Sequence, residues 1–423
     1  MHFPSVVAAL SAASVASASR FSLRPSPWRR NADPNSYHDL PRAVQASNEP
    51  LWPRTVETVQ HEQRAAPSRR ADNPFLNKAL TVNPEYAEKL ESVYNFFVEE
   101  GDTANADKVR KVQDIGTFYW ISDIASLSTI DDAVSNARRA KNSTGEDQIV
   151  GLVLYNLPDR DCSGGESSGE LESENGGLAR YKSEYVDAYA AKLSAAPDVT
   201  FAVIVEPDAL GNVITNQNID FCAQATPVYE EGIAYAISSL QQSNVNLYID
   251  ASHGGWLGWD DNLPLAAKEF AKVVDIARSS SGNSTKVRGF STNVSNYNPF
   301  HAAVREPFTE GSKSYDEGHY ASSLAPHLQA EGLPAHFIID QGRVAEPGSR
   351  EEWGDWCNIF PAGYGMPPGT TVNNTYVDSI VWVKPGGESD GECGYEGAPP
   401  AGQWFPEYAA MLVERANTFV SAL

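Results

Sequence analysis

From about residue 115 onward, short apolar runs alternate with longer amphipathic segments. The apolar runs are rich in β-branched and aromatic residues, which is typical of strands buried on both faces of a sheet. We predict seven such strands, at 117–121, 149–155, 199–205, 245–249, 287–290, 336–340 and 380–384. Helical periodicity marks the segments 181–196, 227–243, 264–280 and 406–423. Pro227 and Pro264 begin two of these segments, and proline suits the first position of a helix.

Strands that alternate with helices imply a parallel sheet, so the fold class is α/β. Seven repeats at similar spacing favour a closed or nearly closed β/α barrel over an open doubly wound sheet. No Gly-rich phosphate loop follows the first strand, which makes a nucleotide-binding fold a weak alternative. We therefore predict a single catalytic domain over residues 73–423.

The N-terminal region differs from this pattern. Residues 1–18 form an apolar run that ends in Ala16-Ser17-Ala18, which predicts a secretory signal, although the run lacks a basic start. A short buried helix is the alternative. Residues 19–72 are rich in Arg and Pro without a sustained period, which predicts a propeptide or a disordered segment. Its dibasic pairs leave open both processing and an uncleaved tail.

The charge balance narrows the choice of partners. The chain has 55 acidic and 32 basic residues, a net charge of −23, and the Arg-rich segment leaves the rest more acidic still. Such a protein should avoid nucleic acid and anionic membranes, whereas a neutral polysaccharide remains a suitable partner. No later apolar run is long enough to span a bilayer.

Cysteines and sequons agree with secretion. Four cysteines favour two disulfides, with three pairings possible. They are Cys162, Cys222, Cys357 and Cys393. Four Asn-x-Ser/Thr sequons predict an extracellular glycoprotein. They are Asn142, Asn283, Asn293 and Asn373.

Polar side chains follow nearly every predicted strand, and the active site of a β/α barrel lies where the strands end. Any one of these residues could be a cap or a turn residue, but seven strand ends together predict a common rim. The rim includes Asp123, Asp161, Glu206, Asp208, Asp250, His253, Asn293, Asn296, Asp340, Lys384, Glu388 and Asp390.

This rim has the groups that glycoside hydrolysis needs. One carboxylic acid must protonate the leaving oxygen, and a second carboxylate or a base acting through water must serve the other face. Aromatic side chains can cover the apolar faces of sugar rings. Trp120 ends a predicted strand, Trp256 and Trp259 follow another, and Trp356 lies in the segment GDWC. Buried tryptophan is often core, yet several of them beside carboxylates favour a polysaccharide cleft.

Five motifs carry a resemblance to a known family. They are LYNLPDRDC (154–162), VEPDAL (205–210), GGWLGW (254–259), SNYNP (295–299) and WVKPGGESDG (382–391). The chain over about 73–423 resembles glycoside hydrolase family 6, which contains fungal cellobiohydrolases II and endoglucanases. The resemblance implies a distorted barrel of seven parallel strands and hydrolysis with inversion at the anomeric carbon.

The resemblance also implies roles for residues. Asp208 matches the catalytic acid, and Asp161 matches the carboxylate that assists it. Asp161 can keep Asp208 protonated, because a neighbouring negative charge disfavours ionisation. Tyr155 matches the residue that presses on the distorted sugar, and Ser167 matches the residue that holds the attacking water. Asp390 matches the proposed base, whose role is less settled.

Further positions follow from the same likeness. Lys384 and Glu388 match sugar-binding positions, and Trp120, Trp256 and Trp356 match stacking platforms. We add Trp259, His253 and Asn296 as substrate-binding candidates because they follow strands at the rim. The implied disulfides are Cys162–Cys222 and Cys357–Cys393.

One departure from the family bears on the mode of cleavage. In the processive members two long loops roof the cleft, and the second loop lies after the Asp390 position. Here only Gly391 and Glu392 separate Asp390 from Cys393, whereas the first loop, 162–177, is not obviously short. An endo-β-1,4-glucanase is therefore expected. A cellobiohydrolase with a partly open tunnel and a non-catalytic glucan-binding homologue are the alternatives.

The remaining expectations concern cofactors, assembly and location. No metal and no organic cofactor is implied, because the carboxylates accompany Trp and Lys and not a His cluster. His253 is expected to form hydrogen bonds and not to bind metal. We expect a secreted, extracellular monomer whose partner is cellulose or another β-1,4-glucan.

Overall fold

All strands of the computed structural model belong to one parallel sheet. The structure describes residues 72–281, 285–418 and 420, which fall within one compact unit. The strands are β1 (Ala79–Leu80), β2 (Tyr119–Ile121), β3 (Gln148–Leu154), β4 (Thr200–Val205), β5 (Val245–Asp250), β6 (Gly289–Thr292), β7 (Phe337–Asp340) and β8 (Val377–Val381).

The sheet has seven positions. β1 pairs with the start of β3 and β2 pairs with its end, so both short strands share one edge of β3. From β3 the order continues through β4, β5, β6 and β7 to β8. At the far side the N–H of Phe118 donates to the carbonyl of Trp382 at 3.0 Å, which links the first and last positions. The predicted α/β fold, a distorted seven-stranded barrel in a single domain, is confirmed as a curled half-barrel.

Helices cover the outside of the sheet. They are α1 (Pro84–Lys89), α2 (Glu91–Glu99), α3 (Thr103–Gln113), α4 (Thr129–Thr144), α5 (Gly177–Arg180), α6 (Asp187–Ser194), α7 (Ala209–Thr215), α8 (Asp220–Ser239), α9 (Gly254–Leu257), α10 (Asn262–Ser281), α11 (Glu317–Ala330) and α12 (Pro406–Glu414). A π-helical stretch, Tyr181–Val186, joins α5 to α6, and short 3₁₀ turns lie at Ala125–Ser128, Ser173–Asn175 and Pro307–Thr309.

Side chains of the long central strands alternate between two apolar clusters, as a parallel sheet buried on both faces requires. In β3, Val150, Leu152 and Leu154 pack outward against the helices. Ile149 and Val153 point inward and meet residues of β4, β5, β7 and β8. The barrel interior is therefore filled, and the open ends of the strands are left for polar groups.

Two helix boundaries differ from the prediction. α8 begins at Asp220, seven residues before Pro227, so that proline lies inside the helix. The hydroxyl of Thr226 donates to the carbonyl of Cys222, a local hydrogen bond in the turn before the proline. The last helix ends at Glu414, earlier than the periodicity to 423 predicts.

The termini and covalent features complete the fold. Both disulfides, Cys162–Cys222 and Cys357–Cys393, are formed as the resemblance implies. The predicted signal, 1–18, and nearly all of segment 19–72 lie outside the described residues. Within the described residues, no helix is long and apolar enough to cross a membrane.

The sequons fall in different environments. Asn142 and Asn373 are exposed, and Asn283 lies outside the described residues. We correct the expectation for Asn293: its side chain is fully buried, and its amide donates to the carbonyls of Asn298 (2.9 Å) and Asp340 (2.8 Å). The folded protein therefore has no room for a glycan on Asn293.

Candidate active site

A cavity of about 390 Å³ lies at the ends of the strands, and we call it the central cavity. It brings together eleven of the thirteen predicted catalytic and substrate-binding residues. They are Trp120, Tyr155, Asp161, Ser167, Asp208, His253, Trp256, Asn296, Trp356, Lys384 and Asp390. The two others, Trp259 and Glu388, lie outside its wall.

Asp208 follows β4 at the point where the chain turns into α7. Its backbone is left-handed, with φ +66°, and its N–H donates to the Oδ2 of Asp250 at 3.0 Å. Among the residues that the structure describes, none donates a hydrogen bond to the carboxyl group of Asp208. Burial, then the charges of Asp250 and Asp161, raise the pKa of Asp208 well above its usual value. Asp208 is therefore suited to hold a proton that it can donate.

Asp161, unlike Asp208, accepts hydrogen bonds from backbone N–H groups. It also has a left-handed backbone, with φ +58°, and it precedes the disulfide-bonded Cys162. Its Oδ2 accepts a hydrogen bond from the N–H of Ser167 at 2.7 Å. Burial raises the pKa of Asp161, but the backbone N–H groups of Ser167 and the glycines before it oppose that rise. These donors favour a carboxylate here.

Three buried carboxyl groups at strand ends hold the loops that form the rim. Glu206 accepts from the N–H groups of Asn156 (3.0 Å) and Leu157 (3.3 Å), which lie in the loop that leads to Asp161. Asp250 accepts from Asp208 and from Ser252, each at 3.0 Å. Asp340 likewise accepts from backbone N–H groups, at Ser295, Gly342, Val383 and Lys384.

Burial raises the pKa values of Glu206 and Asp250 above those of ordinary carboxyl groups. The pKa of Glu206 rises to about 7, and that of Asp250 rises to about 6. In each case the hydrogen bonds that the carboxyl group accepts oppose this rise in pKa. Asp250 accepts hydrogen bonds from three donors, including the Ser291 hydroxyl at 3.1 Å, whereas no described residue donates to the carboxyl of Asp208. A proton shared between Asp208 and Asp250 is therefore expected on Asp208.

Asp390 is buried and surrounded by donors. Nη1 of Arg343 lies 2.9 and 2.8 Å from its two oxygens, and the hydroxyl of Tyr297 donates at 2.9 Å. The N–H of Asn358 adds another hydrogen bond at 2.9 Å. The contacts with Arg343 are charge-assisted and therefore stronger than neutral hydrogen bonds, so they fix the position of the Asp390 carboxyl group.

An aromatic corner closes one side of the cavity. The rings of Trp120 and Tyr155 meet edge-on, with centroids 5.4 Å apart. The guanidinium of Arg160 lies over the Tyr155 ring at 4.3 Å, and its Nε donates to the carbonyl of Ser167 at 2.7 Å. Lys384 donates to the carbonyl of Ser389 at 3.0 Å, and burial lowers the pKa of its ammonium group.

Tryptophans line the opposite side. The indole N–H of Trp256 donates to the hydroxyl of Thr215 at 2.7 Å, which fixes its ring at the wall. Trp356 is 40% exposed, as a platform for a ligand can be. We correct the expectation for Trp259, which is absent from the cavity wall: its N–H donates to the carbonyl of Gly255, and its ring packs edge-on against Trp353. Trp353 lines the cavity in its place.

His253 is neutral. Burial lowers its pKa to about 3. The side-chain nitrogen of Asn298 lies 3.0 Å from its Nδ1, and because an amide nitrogen can only donate, the ring proton is on Nε2. His253 can therefore donate one hydrogen bond to a ligand. Over 72–281 and 285–418, no group of three or more His, Cys, Asp or Glu side chains could hold a metal ion.

Glu388 lies beyond the aromatic corner. It lines a second cavity of about 370 Å³, which we call the distal cavity, and its Oε1 accepts from Lys89 at 3.0 Å. Trp120, Tyr155, Ser167 and Lys384 line both cavities, so the distal cavity continues the cleft.

A sequence model described as "Glycosyl hydrolases family 6" matches residues 75–416. The chain belongs to glycoside hydrolase family 6. Its fold, its carboxyl-rich rim and its tryptophan-lined cleft are those of a glycoside hydrolase.

Relatives with two kinds of name occur in this family. A 1,4-beta-D-glucan cellobiohydrolase CEL6B of Podospora anserina is 59% identical over 354 residues, which is 84% of each chain. Endoglucanase-6B of Humicola insolens is 55% identical over 82% of this chain and 99% of its own. The solved structure of endoglucanase CEL6B from Humicola insolens matches with a TM-score of 0.80, over 82% of this chain and 99% of that chain. That of CcCel6C from Coprinopsis cinerea, 46% identical, matches with a TM-score of 0.79 over 82% and 98%.

Several members of this family 6 site are missing from the sequence-based prediction. Arg343 lies three residues after Asp340, and an arginine at the end of a strand in an otherwise acidic rim is a usable signal. Trp353 lies three residues before Trp356 and carries a weaker signal. Arg160 and Lys89 have no such signal, because their contacts depend on how loops and α1 fold back onto the rim.

The two carboxyl groups predict a change in pH dependence. Asp161→Asn removes a negative charge that raises the pKa of Asp208. The pKa of Asp208 should fall, so the alkaline limb of kcat/KM should move to lower pH, because the acid loses its proton earlier. Steady-state kinetics against pH measures this.

Asp159→Asn, in the same loop, is the matched control and should leave the limb in place. Asp159 accepts from Ser173 and is not among the charges that act on Asp208. An unmoved alkaline limb in Asp161→Asn would contradict this account of the pKa of Asp208.

Proposed function

We propose that this family 6 enzyme is a secreted endo-β-1,4-glucanase that hydrolyses internal bonds of cellulose or a related β-glucan with inversion. The observation that carries the proposal is the buried carboxyl group of Asp208 in a tryptophan-lined cleft, to which none of the described residues donates a hydrogen bond. Relatives named endoglucanase and 1,4-beta-D-glucan cellobiohydrolase support β-1,4-glucan as the substrate. An acidic protein is suited to a neutral polymer.

The reaction begins with proton transfer from Asp208 to the glycosidic oxygen of the leaving chain. Positive charge then develops on the sugar ring, as in other glycosidases. Asp161, held as a carboxylate by backbone N–H groups, stabilises that charge. Tyr155 has a ring fixed between Arg160 and Trp120, and it presses on the ring of the distorted sugar.

Water attacks from the opposite face, with the α-anomer as first product. Ser167 holds this water, and its own position is fixed because its N–H donates to Asp161 and its carbonyl accepts from Arg160. Asp390 is the candidate base. A general base must be held within reach of the water, and Arg343 and the Tyr297 hydroxyl fix the Asp390 side chain in the wall of the central cavity. Because Asp390 also neutralises the buried Arg343, its substitution would disturb the fold as well as the chemistry.

The turn after Asp390 favours internal cleavage. Gly391 and Glu392 are the only residues before the disulfide-bonded Cys393, so this turn is too short to form a roof. It meets the first loop, 162–177, through a hydrogen bond from the N–H of Glu392 to Glu166 at 3.3 Å. One exposed contact of this kind contributes only about 1 kcal/mol, which a polymer chain can displace on entry.

The same contact is the reason to retain a cellobiohydrolase as the second candidate. Glu166 joins the two loops beside Ser167, and a partly closed roof there would slow entry at internal bonds. The Podospora anserina relative named as a cellobiohydrolase is consistent with this alternative.

The remaining parts of the proposal concern location and assembly. Residues 1–18 direct secretion, and the Arg/Pro-rich segment 19–72 precedes the catalytic domain, 73–423, as a propeptide. The enzyme acts as a monomer outside the cell and carries its glycans at exposed sequons.

Replacement of Asp208 tests the assignment of the acid. Asp208→Ala should lower kcat on β-1,4-glucan by about 10²–10⁴-fold, the usual contribution of a positioned acid. Binding of cello-oligosaccharides, measured by calorimetry, should survive, because the tryptophan platforms remain. Asp275→Ala, on the exposed face of α10, is the control and should keep full activity. Unchanged hydrolysis in Asp208→Ala would remove this residue from the mechanism, and a wild type that binds without hydrolysis would indicate a non-catalytic homologue.

The mode of cleavage is tested on a soluble substituted cellulose. An endoglucanase should lower viscosity rapidly for each reducing end released, because internal cuts shorten chains most. Glu166→Ala, which removes the contact between the loops, should leave this ratio unchanged. Slow viscosity loss with cellobiose as the main product, accelerated by Glu166→Ala, would instead support the cellobiohydrolase.

A further inference from the structure

The distal cavity extends the cleft from the aromatic corner, away from Asp208. It shares Trp120, Tyr155, Ser167 and Lys384 with the central cavity but contains neither Asp208 nor any tryptophan of the opposite wall. A chain that passes Asp208 and the aromatic corner therefore continues into the distal cavity. Its volume of about 370 Å³ lies within the range of small-ligand pockets.

The direction follows from the chemistry of the proposed function. The sugar that acquires positive charge belongs to the glycone, which is the part of the chain on the non-reducing side of the scissile bond. In the proposed mechanism Tyr155 presses on that sugar, and Tyr155 also borders the distal cavity. The distal cavity is therefore on the glycone side, past the unit that Trp120 covers.

The lining of the distal cavity suits an uncharged, hydroxyl-rich ligand. Lys89, at the end of α1, forms an ion pair with Glu388 at 3.0 Å and keeps 32% of its side chain exposed. It has donors left for a ligand, since an ammonium group has three. Hydroxyl-bearing residues complete the wall: Ser122, Ser126, Thr129 and Ser168.

The acidic and basic side chains of the distal cavity are equal in number. Lys89 lies within 3.5 Å of both Glu85 and Glu388. With Glu166, Arg160 and Lys384 the wall has three acidic and three basic groups, so it offers donors and acceptors without a net attraction for ions. Hydroxyl groups of a sugar can use both. Trp120, at the boundary with the central cavity, contributes an apolar surface to the wall.

We propose that the distal cavity is an additional subsite that holds the third glucose unit on the glycone side of the scissile bond, with Lys89 as its main hydrogen-bond donor. This inference rests on the proposed function and extends it. An enzyme with this subsite gains affinity from a chain that continues beyond two glycone units. Such a chain is an internal segment of the polymer, so the subsite supports internal cleavage.

The test uses cellopentaose with an oxygen-isotope label at its reducing end. This substrate can bind with three glycone units, which gives labelled cellobiose, or with two, which gives labelled cellotriose. Wild type should give mainly labelled cellobiose. Lys89→Ala should reduce the ratio of labelled cellobiose to labelled cellotriose about tenfold, which is the effect of losing one hydrogen bond to a charged group. Mass spectrometry of the first products measures the ratio.

The ratio is insensitive to general damage, because both modes fill the subsite at Trp120 and use the same catalytic groups. Lys182→Ala is the matched control: it removes a similar ion pair, with Glu231, away from the cleft, and should leave the ratio unchanged. An unchanged ratio in Lys89→Ala, or a wild type that mainly gives labelled cellotriose, would overturn the subsite.

Binding separates this proposal from the proposed function. In the Asp208→Ala background, adding Lys89→Ala should weaken cellopentaose binding by calorimetry, and equal affinity would overturn the subsite even where hydrolysis is observed. A wild type that binds cellopentaose through Lys89 but never cleaves it would overturn the proposed function alone.

Discussion

The unequal supply of hydrogen-bond donors to the carboxyl groups of the rim is the feature on which the site depends. Asp161, Glu206, Asp250, Asp340 and Asp390 each accept hydrogen bonds from backbone N–H groups, and Asp390 also binds Arg343. Asp208 lies among them, and in the described part of the chain no group donates a hydrogen bond to its carboxyl. Because burial penalises every charge in this rim, the proton goes to the group with least stabilisation of its anion. Asp208 is thus the acid because the neighbouring carboxyl groups, and not Asp208, are stabilised as anions by hydrogen-bond donors.

The same hydrogen bonds also build the loops. Glu206 holds the segment that carries Asp161, and Asp250 holds the backbone of Asp208 itself. Several of these residues adopt left-handed backbone conformations that non-glycine residues rarely use, among them Asp161, Glu206 and Asp208. Such conformations cost energy and persist where surrounding contacts determine them. Buried carboxylates and the disulfide at Cys162 provide those contacts, so one set of groups both fixes the geometry and sets the charges.

Much of this architecture is predictable from the sequence, for physical reasons. Buried parallel strands leave an apolar pattern that the chain displays clearly, and the ends of parallel strands must meet at one rim. Asp161, Asp208 and Asp390 could therefore be placed together. The hydrogen-bond donors to these carboxyl groups could not be predicted, because every residue except proline has a backbone N–H. The left-handed turns that aim these N–H groups occur at Asp and Glu and not at glycine, so the sequence does not mark them.

Other differences have similar causes. Lys89 reaches Glu388 across 299 residues of sequence, which no local pattern can reveal. Asn293 reads as a sequon but turns inward after β6, where its amide binds two carbonyls. Trp259 follows the same strand end as Trp256, yet its ring packs on Trp353 and not in the cavity. In each case the local sequence is compatible with both outcomes, and tertiary packing decides.

The central claim concerns the location of one proton, and neutron diffraction from deuterium-exchanged crystals at mildly acidic pH tests it most directly. The account predicts deuterium on the carboxyl group of Asp208 and none on Asp161. An ionised Asp208 beside a protonated Asp161 or Asp250 would contradict it.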